Sequence, residues 1–316
     1  VLINTVVLGL GLLHILNSWT MYGVFLGTPL IVLYQRLDVT EERVQLFFRI
    51  LPITRVKLLI KKCFNRLGTF GGRSGRWQAK ADLPGTLEYL ALGAIALYAL
   101  VYFSWGSFQN ISYGSSDQYV HHSWIYGLTQ GQIFSGGVYP AAMHCLIYSI
   151  HLLFGVELYS LVLFFGGIQS VIFLLASYCL LRELFRWRYA PILTLAAFML
   201  FGAESYAEVG GMFRLQNTLP LEFALTFQML CVLYLIRYLR YIGKLAGRRE
   251  YSRFKKGNDL FLFTMSLAAL LASHFHPTIT AFCLCVTVVA FHIKKGFSKE
   301  RFLPLAAAVL CGALIA

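Results

Sequence analysis

Between Lys80 and Arg182 this chain carries no lysine or arginine, although it holds 27 of them in 316 residues. Apart from Arg214, the basic residues crowd into 36–80, Arg182 to Arg188, Arg237 to Lys256 and Lys294 to Arg301, with apolar runs between. Basic clusters alternating with apolar runs are the mark of a chain that crosses a membrane repeatedly and keeps its basic loops in the cytoplasm. The basic-free stretch therefore faces the other side. A mean hydropathy of +0.66 agrees, and 58% hydrophobic residues is more than a water-soluble domain carries.

The net charge of +13 points to a nucleic-acid partner only while its placement is ignored. All the basic residues but Arg214 fall in loops assigned to the cytoplasm, where anionic lipid attracts each by roughly 1 kcal/mol. Membrane lipid is thus the expected partner, and nucleic acid is excluded. Seven cysteines are present. None pairs within an outer loop and no CxxC occurs, which argues against disulfides and thiolate metal sites. The chain begins at Val1 and stops at Ala316 inside an apolar run, so it reads as a piece of a longer protein.

The predicted fold class is an all-α integral membrane bundle of about nine spans. Residues 1–35 exceed one upright span and break near Asn17, Ser18 and Gly23, giving two helices joined outside; a single tilted helix is the alternative. Residues 36–86 form a basic cytoplasmic segment. In it Val44, Leu46, Phe47, Leu51, Val56, Leu59 and Ile60 alternate with basic residues, as in a helix lying on the inner membrane face, or in a plain solvated loop. A module of seven spans fills 87–316: Leu87 to Phe108 outward, Glu157 to Leu181 inward, then Pro191 to Ala203, Pro220 to Leu239, Asp259 to Ser273, Thr278 to Phe291 and Phe302 onward. Pro140 to Phe154 is short for a span. Because the chain must still be outside at 155, this helix is expected to start and end on the outer side.

Polar residues gather in the outer loops. Asp117 lies in Gly114-Ser-Ser-Asp-Gln-Tyr-Val-His121-His122. Ser115, Ser116 or Asp117 suits the cap of the next helix. Asp117 and His121, four apart, share a face of that helix, where the imidazole can orient the carboxylate or share a metal with it. His122 points about 100° away from them. Tyr139 precedes Pro140 at the start of the second short helix, and His144, Tyr148 and His151 form a stripe along it that reads most simply as solvated. The second outer loop holds Glu204, Glu208, Arg214, Gln216, Asn217 and Glu222. Arg214 either pairs with one of these acids or grips a phosphate in the two-pronged way a guanidinium can. Gln216 and Asn217 suit sugar hydroxyls. His274 and His276 flank an expected tight turn at 274–277, where they face water or ligate a metal.

No Walker motif, GxSxG, HExxH or C-terminal CaaX occurs. Span interiors lack the acids and bases of a proton pump, and no soluble nucleotide-binding domain is present. Ser116-Asp117-Gln118-Tyr119, His121-His122, the Gly-Gly-Val-Tyr139-Pro140 helix start and the Arg214 loop, in this order between spans, resemble the GT-C glycosyltransferases over roughly 87–316. Those enzymes take sugars from polyprenyl-phosphate carriers on the non-cytoplasmic face. The resemblance implies a plasma-membrane enzyme with Asp117 as catalytic base and a polyprenyl-phosphate-linked sugar donor. The acceptor is then a glycan, lipid or protein. A paired acidic motif of some members is missing, since Ser116 and Gln118 flank Asp117. A divalent metal, Mg or Mn, therefore stays open.

One carboxylate and one cation meet the physical requirement for such a transfer. The carrier phosphate is already a good leaving group, so it needs charge neutralisation more than a strong acid. A glycosidic-bond hydrolase would more typically want two carboxylates. A transporter or flippase of lipid-linked saccharide, a ligase or polymerase using the same carriers, and a non-catalytic scaffold are the competing readings.

Overall fold

The computed structural model describes residues 1–36, 85–109, 112–137, 139–185, 187–205, 212–240 and 249–316. Among them every regular element is helical. The basic segment expected over 36–86 lies outside the described residues except at its two ends.

Near the N-terminus, α1 (Leu2–Leu12) is followed by α2 (Ser18–Tyr22), which runs through a π-helical turn (Gly23–Gly27) into α3 (Thr28–Arg36). Asn17 starts the second segment. Its side chain accepts from the Thr20 N–H at 3.0 Å, and the Thr20 hydroxyl accepts from the Asn17 N–H at 3.1 Å. This reciprocal cap puts the break at 13–17. With 11 residues, α1 is roughly 16 Å long, well short of an upright span.

Among the described residues, three helices are long and apolar enough to cross a membrane: α4 (Thr86–Gln109), α7 (Leu158–Leu184) and α10 (Pro220–Arg240). Their lengths are roughly 36, 40 and 32 Å, against about 30 Å of hydrocarbon. The remaining helices are α5 (Ser116–Thr129), α6 (Ala142–Phe154), α8 (Ala190–Ser205), α9 (Met212–Leu215), α11 (Arg249–Leu271), α12 (Phe275–Phe291), α13 (Ile293–Gly296) and α14 (Lys299–Ile315). Several of these are apolar but shorter, and the protein is a helical membrane protein in class.

Helix α7 is the hub. It packs against α4 and α8 on one side and α10 on the other, while α10 carries α11 and α12, and α14 lies on α11. Helices α5 and α6 pack on each other and on the first half of α7, with α1 and α2 laid against α6. Lipid tails are as apolar as leucine, so close approach rather than water exclusion drives such packing. Gly167 of α7 meets the Ser104 side chain of α4 so closely that a Cβ there would collide with its hydroxyl.

Three element boundaries differ from expectation, each for a local reason. Helix α6 begins at Ala142 rather than Pro140, because the Ala142 N–H donates 3.0 Å to the carbonyl of Ala272 at the end of α11. Helix α11 begins at Arg249, ten residues before the apolar run; that polar stretch holds no proline, and a single glycine, Gly257, is tolerated within the helix. Helix α12 starts at Phe275, so His276 and Pro277 lie in its first turn instead of a 274–277 loop; proline is tolerated there, where no N–H is needed.

The described arginine ion pairs other than Arg214's collect at one end of the bundle. Glu88 of α4 accepts from Arg188 Nε (3.2 Å) and the Tyr178 hydroxyl (2.6 Å) and forms an ion pair with Arg182, whose Nε lies 2.9 Å from Oε1. The next residue on α7, Glu183, takes Arg237 and Arg240 of α10 at 3.1 and 3.4 Å. Helices α4, α7, α8 and α10 are thereby tied together at their basic ends.

Candidate functional site

The opposite end is built around α5. Ser115 occupies the N-cap in extended conformation, yet its side chain makes no capping bond, contrary to the expected role of Ser115, Ser116 or Asp117. The reason is that the first turn is closed from the other direction: the Gln118 side chain accepts from the Gly114 N–H at 3.1 Å. Asp117 stands in that first turn, exposed, where the helix N-terminus favours a negative charge.

One turn further on, His121 is buried and its Nδ1 lies 3.0 Å from Nε2 of His144 on α6. The packing of α5 on α6 thus removes His144 from water, and the stripe expected to be solvated is buried at His144 and Tyr148. His151, the third member, is partly buried and meets the Val156 carbonyl at 2.8 Å. Burial pushes His121 down to about 4 despite the field of Asp117, and pushes His144 down to about 3. Both rings are therefore neutral at pH 7. A neutral pair can share one hydrogen bond, with one ring donating and the other accepting.

Tyr139 forms the next layer. Its ring lies 5.7 Å from His121, 6.0 Å from His144, 5.2 Å from Trp124 and 5.9 Å from His274. Burial, and then the charges of Glu222 and Asp117, push its hydroxyl up to about 12, so it stays protonated. His274 caps α12, its Nδ1 accepting from the His276 N–H at 3.1 Å. Burial lowers its pKa, and the neighbouring His276 and the Arg214 cation lower it further.

Arg214 reaches this cluster because its loop sinks into the bundle. The segment after α9 lies on α7 at Gly166, where a Cβ would collide with the Gln216 carbonyl. Ser170 donates to the Leu215 carbonyl and Gln169 donates 3.4 Å to that of Asn217. Gly166 stands eight residues, roughly 12 Å, below the start of α7. This depth is a departure from the reading of 204–219 as a surface loop. It also accounts for polar Gln169 and Ser170 buried inside a span: each satisfies a backbone carbonyl that has left water.

Of the acids that might pair with Arg214, the described structure brings up Glu222, in the first turn of α10. Arg214 Nε donates to Glu222 Oε1 at 2.8 Å. The carboxylate is buried, while the arginine side chain keeps 42% exposure. Glu222 Oε2 is buried and has no partner among the described residues. Glu222 and then Asp117 hold the guanidinium in its charged form. Asp117, His121, Tyr139, Arg214, Glu222 and His274 are thus linked by contact or field into one site, with His144 beneath.

Of the other expected site residues, His122, Gln216, Asn217 and His276 stand apart from it. His122 joins the Tyr113 and Tyr159 rings at 5.8 and 6.1 Å, and burial lowers its pKa although Glu157 opposes that. Gln216 and Asn217 line a separate polar cavity of about 30 Å³ with Gly106, Ser107, Ser112, Gly114 and Gln118. His276 is exposed on α12. Glu204 ends α8 with its side chain outside the described residues, as is all of Glu208.

The sequence reading offered Glu222 as one of three acids that could pair with Arg214, and the structure gives it that role; Trp124, whose ring lies 4.9 Å from His121 and 5.2 Å from Tyr139, was not among the expected site residues. No group of three or more His, Cys, Asp or Glu poised for a metal occurs among the described residues. Magnesium and manganese want several oxygen ligands. The oxygens here come from an exposed Asp117 and a Glu222 already committed to Arg214, so the donor set does not fit either ion. No family model matches the chain, and no curated protein or solved structure matches it.

Proposed function

We propose that this chain is a membrane glycosyltransferase of the GT-C type. It moves a sugar from a polyprenyl-phosphate carrier to an acceptor hydroxyl on the non-cytoplasmic face of the plasma membrane. The observation that carries the reading is the gathering of Asp117, the Arg214–Glu222 pair and the neutral His121–His144 pair at the bundle end opposite the arginine clamps. We take α4, α7, α8, α10, α11, α12 and α14 as the spans of the module, with α5 and α6 along the outer surface, and this arrangement would put that end outside.

In this reading Asp117 takes the proton of the acceptor hydroxyl. The oxygen attacks the anomeric carbon, the bond from that carbon to the carrier phosphate oxygen breaks, and the sugar inverts. Arg214 receives the phosphate as its charge grows, already oriented by Glu222 through Nε. The His121–His144 pair sets two uncharged rings one turn further along and beneath, so no imidazolium competes for the carboxylate.

A ligase or polymerase of lipid-linked saccharide uses the same groups and is the nearest alternative. A transporter or flippase would want polar groups along a transmembrane path; among the described residues the buried polar side chains inside the long helices are few and scattered, among them Gln169 and Ser170 under the Arg214 loop and Ser177, Gln228 and Ser266 elsewhere. The test is transfer from radiolabelled polyprenyl-phosphate sugars in membranes. Asp117→Asn is expected to lower transfer by about 10²–10⁴-fold. Undiminished transfer by that variant refutes the assignment of the base.

A further inference from the structure

We infer that the small polar cavity between the end of α4, the start of α5 and the Arg214 loop is a subsite for one uncharged hydroxyl of the transferred sugar, read by the side-chain amides of Gln118, Gln216 and Asn217; this rests on the function proposed above.

Two glycines keep the cavity open. A Cβ on Gly114 would stand 3.0 Å from Asn217 Oδ1, 3.9 Å from Gln216 Nε2 and 4.0 Å from Gln118 Oε1, and one on Gly106 would stand 3.4 Å from Gln216 Oε1. Three amides from two separate elements therefore converge on the point that Gly114 leaves empty. The space is about 30 Å³, enough for an oxygen and the carbon that carries it. Ser112 and Gly114 are exposed, so its mouth opens at the surface.

The hydrogen-bonding capacity left in the cavity belongs to the amides. Ser107, which also lines it, spends its hydroxyl on the Leu163 carbonyl at 2.8 Å. Gln118 Oε1 accepts from the Gly114 N–H, which leaves its amino group over. The side chains of Gln216 and Asn217 have no hydrogen-bond partner among the described residues, although Asn217 is only 9% exposed. A buried amide without a partner costs free energy, so one that faces an open cavity is set to receive a guest. Whichever way these two amides turn, each offers a donor and an acceptor, the two functions that a hydroxyl has. No charged side chain among the described residues lines the cavity. A carboxylate, phosphate or ammonium would enter without a counter-charge, so the guest is neutral.

Backbone ties the cavity to both reacting groups. Gln118 directly follows Asp117 in the first turn of α5. The Asn217 N–H donates 2.9 Å to the Arg214 carbonyl, which closes a tight turn between those two residues. In a displacement the sugar lies between the base and the departing phosphate. The hydroxyl brought to these amides is therefore one on the sugar being moved.

The test uses the full chain in detergent micelles and four probes, the methyl glycosides of glucose, mannose, galactose and N-acetylglucosamine, titrated by saturation-transfer NMR. At least one should bind, with saturation strongest beside a single hydroxyl. Gly114→Ala, which fills the empty point, and Asn217→Leu, which keeps the bulk and removes the polarity, should each weaken it about tenfold. The deoxy-glycoside lacking that hydroxyl should bind weakly and equally to wild type and both variants. Asn217→Leu should melt no lower than wild type, because the amide it removes has no partner within the protein, whereas an amide with a structural role would lower the midpoint. Binding by none of the four probes, binding indifferent to both substitutions, or a lowered midpoint for Asn217→Leu overturns the inference. The outcome is separable from the transferase reading. Amide-dependent sugar binding without transfer from any polyprenyl-phosphate sugar sinks only the enzyme, and Asp117-dependent transfer untouched by Asn217→Leu sinks only the subsite.

Discussion

Glu88 and Glu222 are the same side chain in the same kind of place. Each lies in the first turn of a long apolar helix, each is buried, and each is held by arginine. At the basic end both Glu88 oxygens are engaged, by two arginines and a tyrosine. At the other end Glu222 has one oxygen on Arg214 and the second without a partner among the described residues. The first arrangement is closed on itself and ties helices together. The second leaves acceptor capacity and a half-exposed guanidinium that feels the charge of Asp117. A buried ion pair alone says little about role; how far its hydrogen bonding is completed says more.

The largest expected effect tests the closed end. Glu88→Gln strips the charge from under Arg182 and Arg188 and should cost about 3 kcal/mol, the low end for breaking a buried pair because Arg188 is 38% exposed. Thermal unfolding in detergent reads this directly, and an unchanged midpoint would show that the clamp is ornamental. Next comes Gly166→Val, which drives a side chain into the Gln216 carbonyl. It should cost about 2 kcal/mol and lower transfer together with Arg214→Gln, since both displace the same cation.

Glu222→Gln should cost below about 1 kcal/mol, because Arg214 is half in solvent and one oxygen is unpartnered, while transfer falls steeply. Equal stability losses for Glu88→Gln and Glu222→Gln would collapse the contrast between the two ends. Smallest is the effect of acid. His121 and His144 bind protons less readily folded than unfolded, so the unfolded chain takes up more protons below pH 6.5. Stability should therefore decline as pH falls from about 6.5 toward about 4. His144→Gln should flatten that slope in melting curves taken between pH 7 and 5.

What the residues revealed beforehand was the coarse frame. The alternation of basic clusters and apolar runs located the long helices, and the gap between Lys80 and Arg182 marked the end where Asp117 would stand. Helical spacing placed Asp117 and His121 on one face. The His121–His144 pair was invisible because it joins positions 23 apart through the packing of α5 on α6, and no local pattern encodes that contact. The pairing of Arg214 with Glu222 depends on a segment seated against Gly166, a residue on a different helix. His274 looked like one of two equivalent turn histidines. The start of α12 at Phe275 separates them, turning one toward Tyr139 and leaving the other exposed.

The seat of the Arg214 loop on Gly166 has a consequence for how freely the guanidinium can wander. The Leu215 and Asn217 carbonyls are held by Ser170 and Gln169 of α7, and the Gln216 backbone lies against Gly166. The arginine is therefore mounted on backbone fastened to the central helix, so it shifts when α7 shifts and not as a loose strand of the surface would.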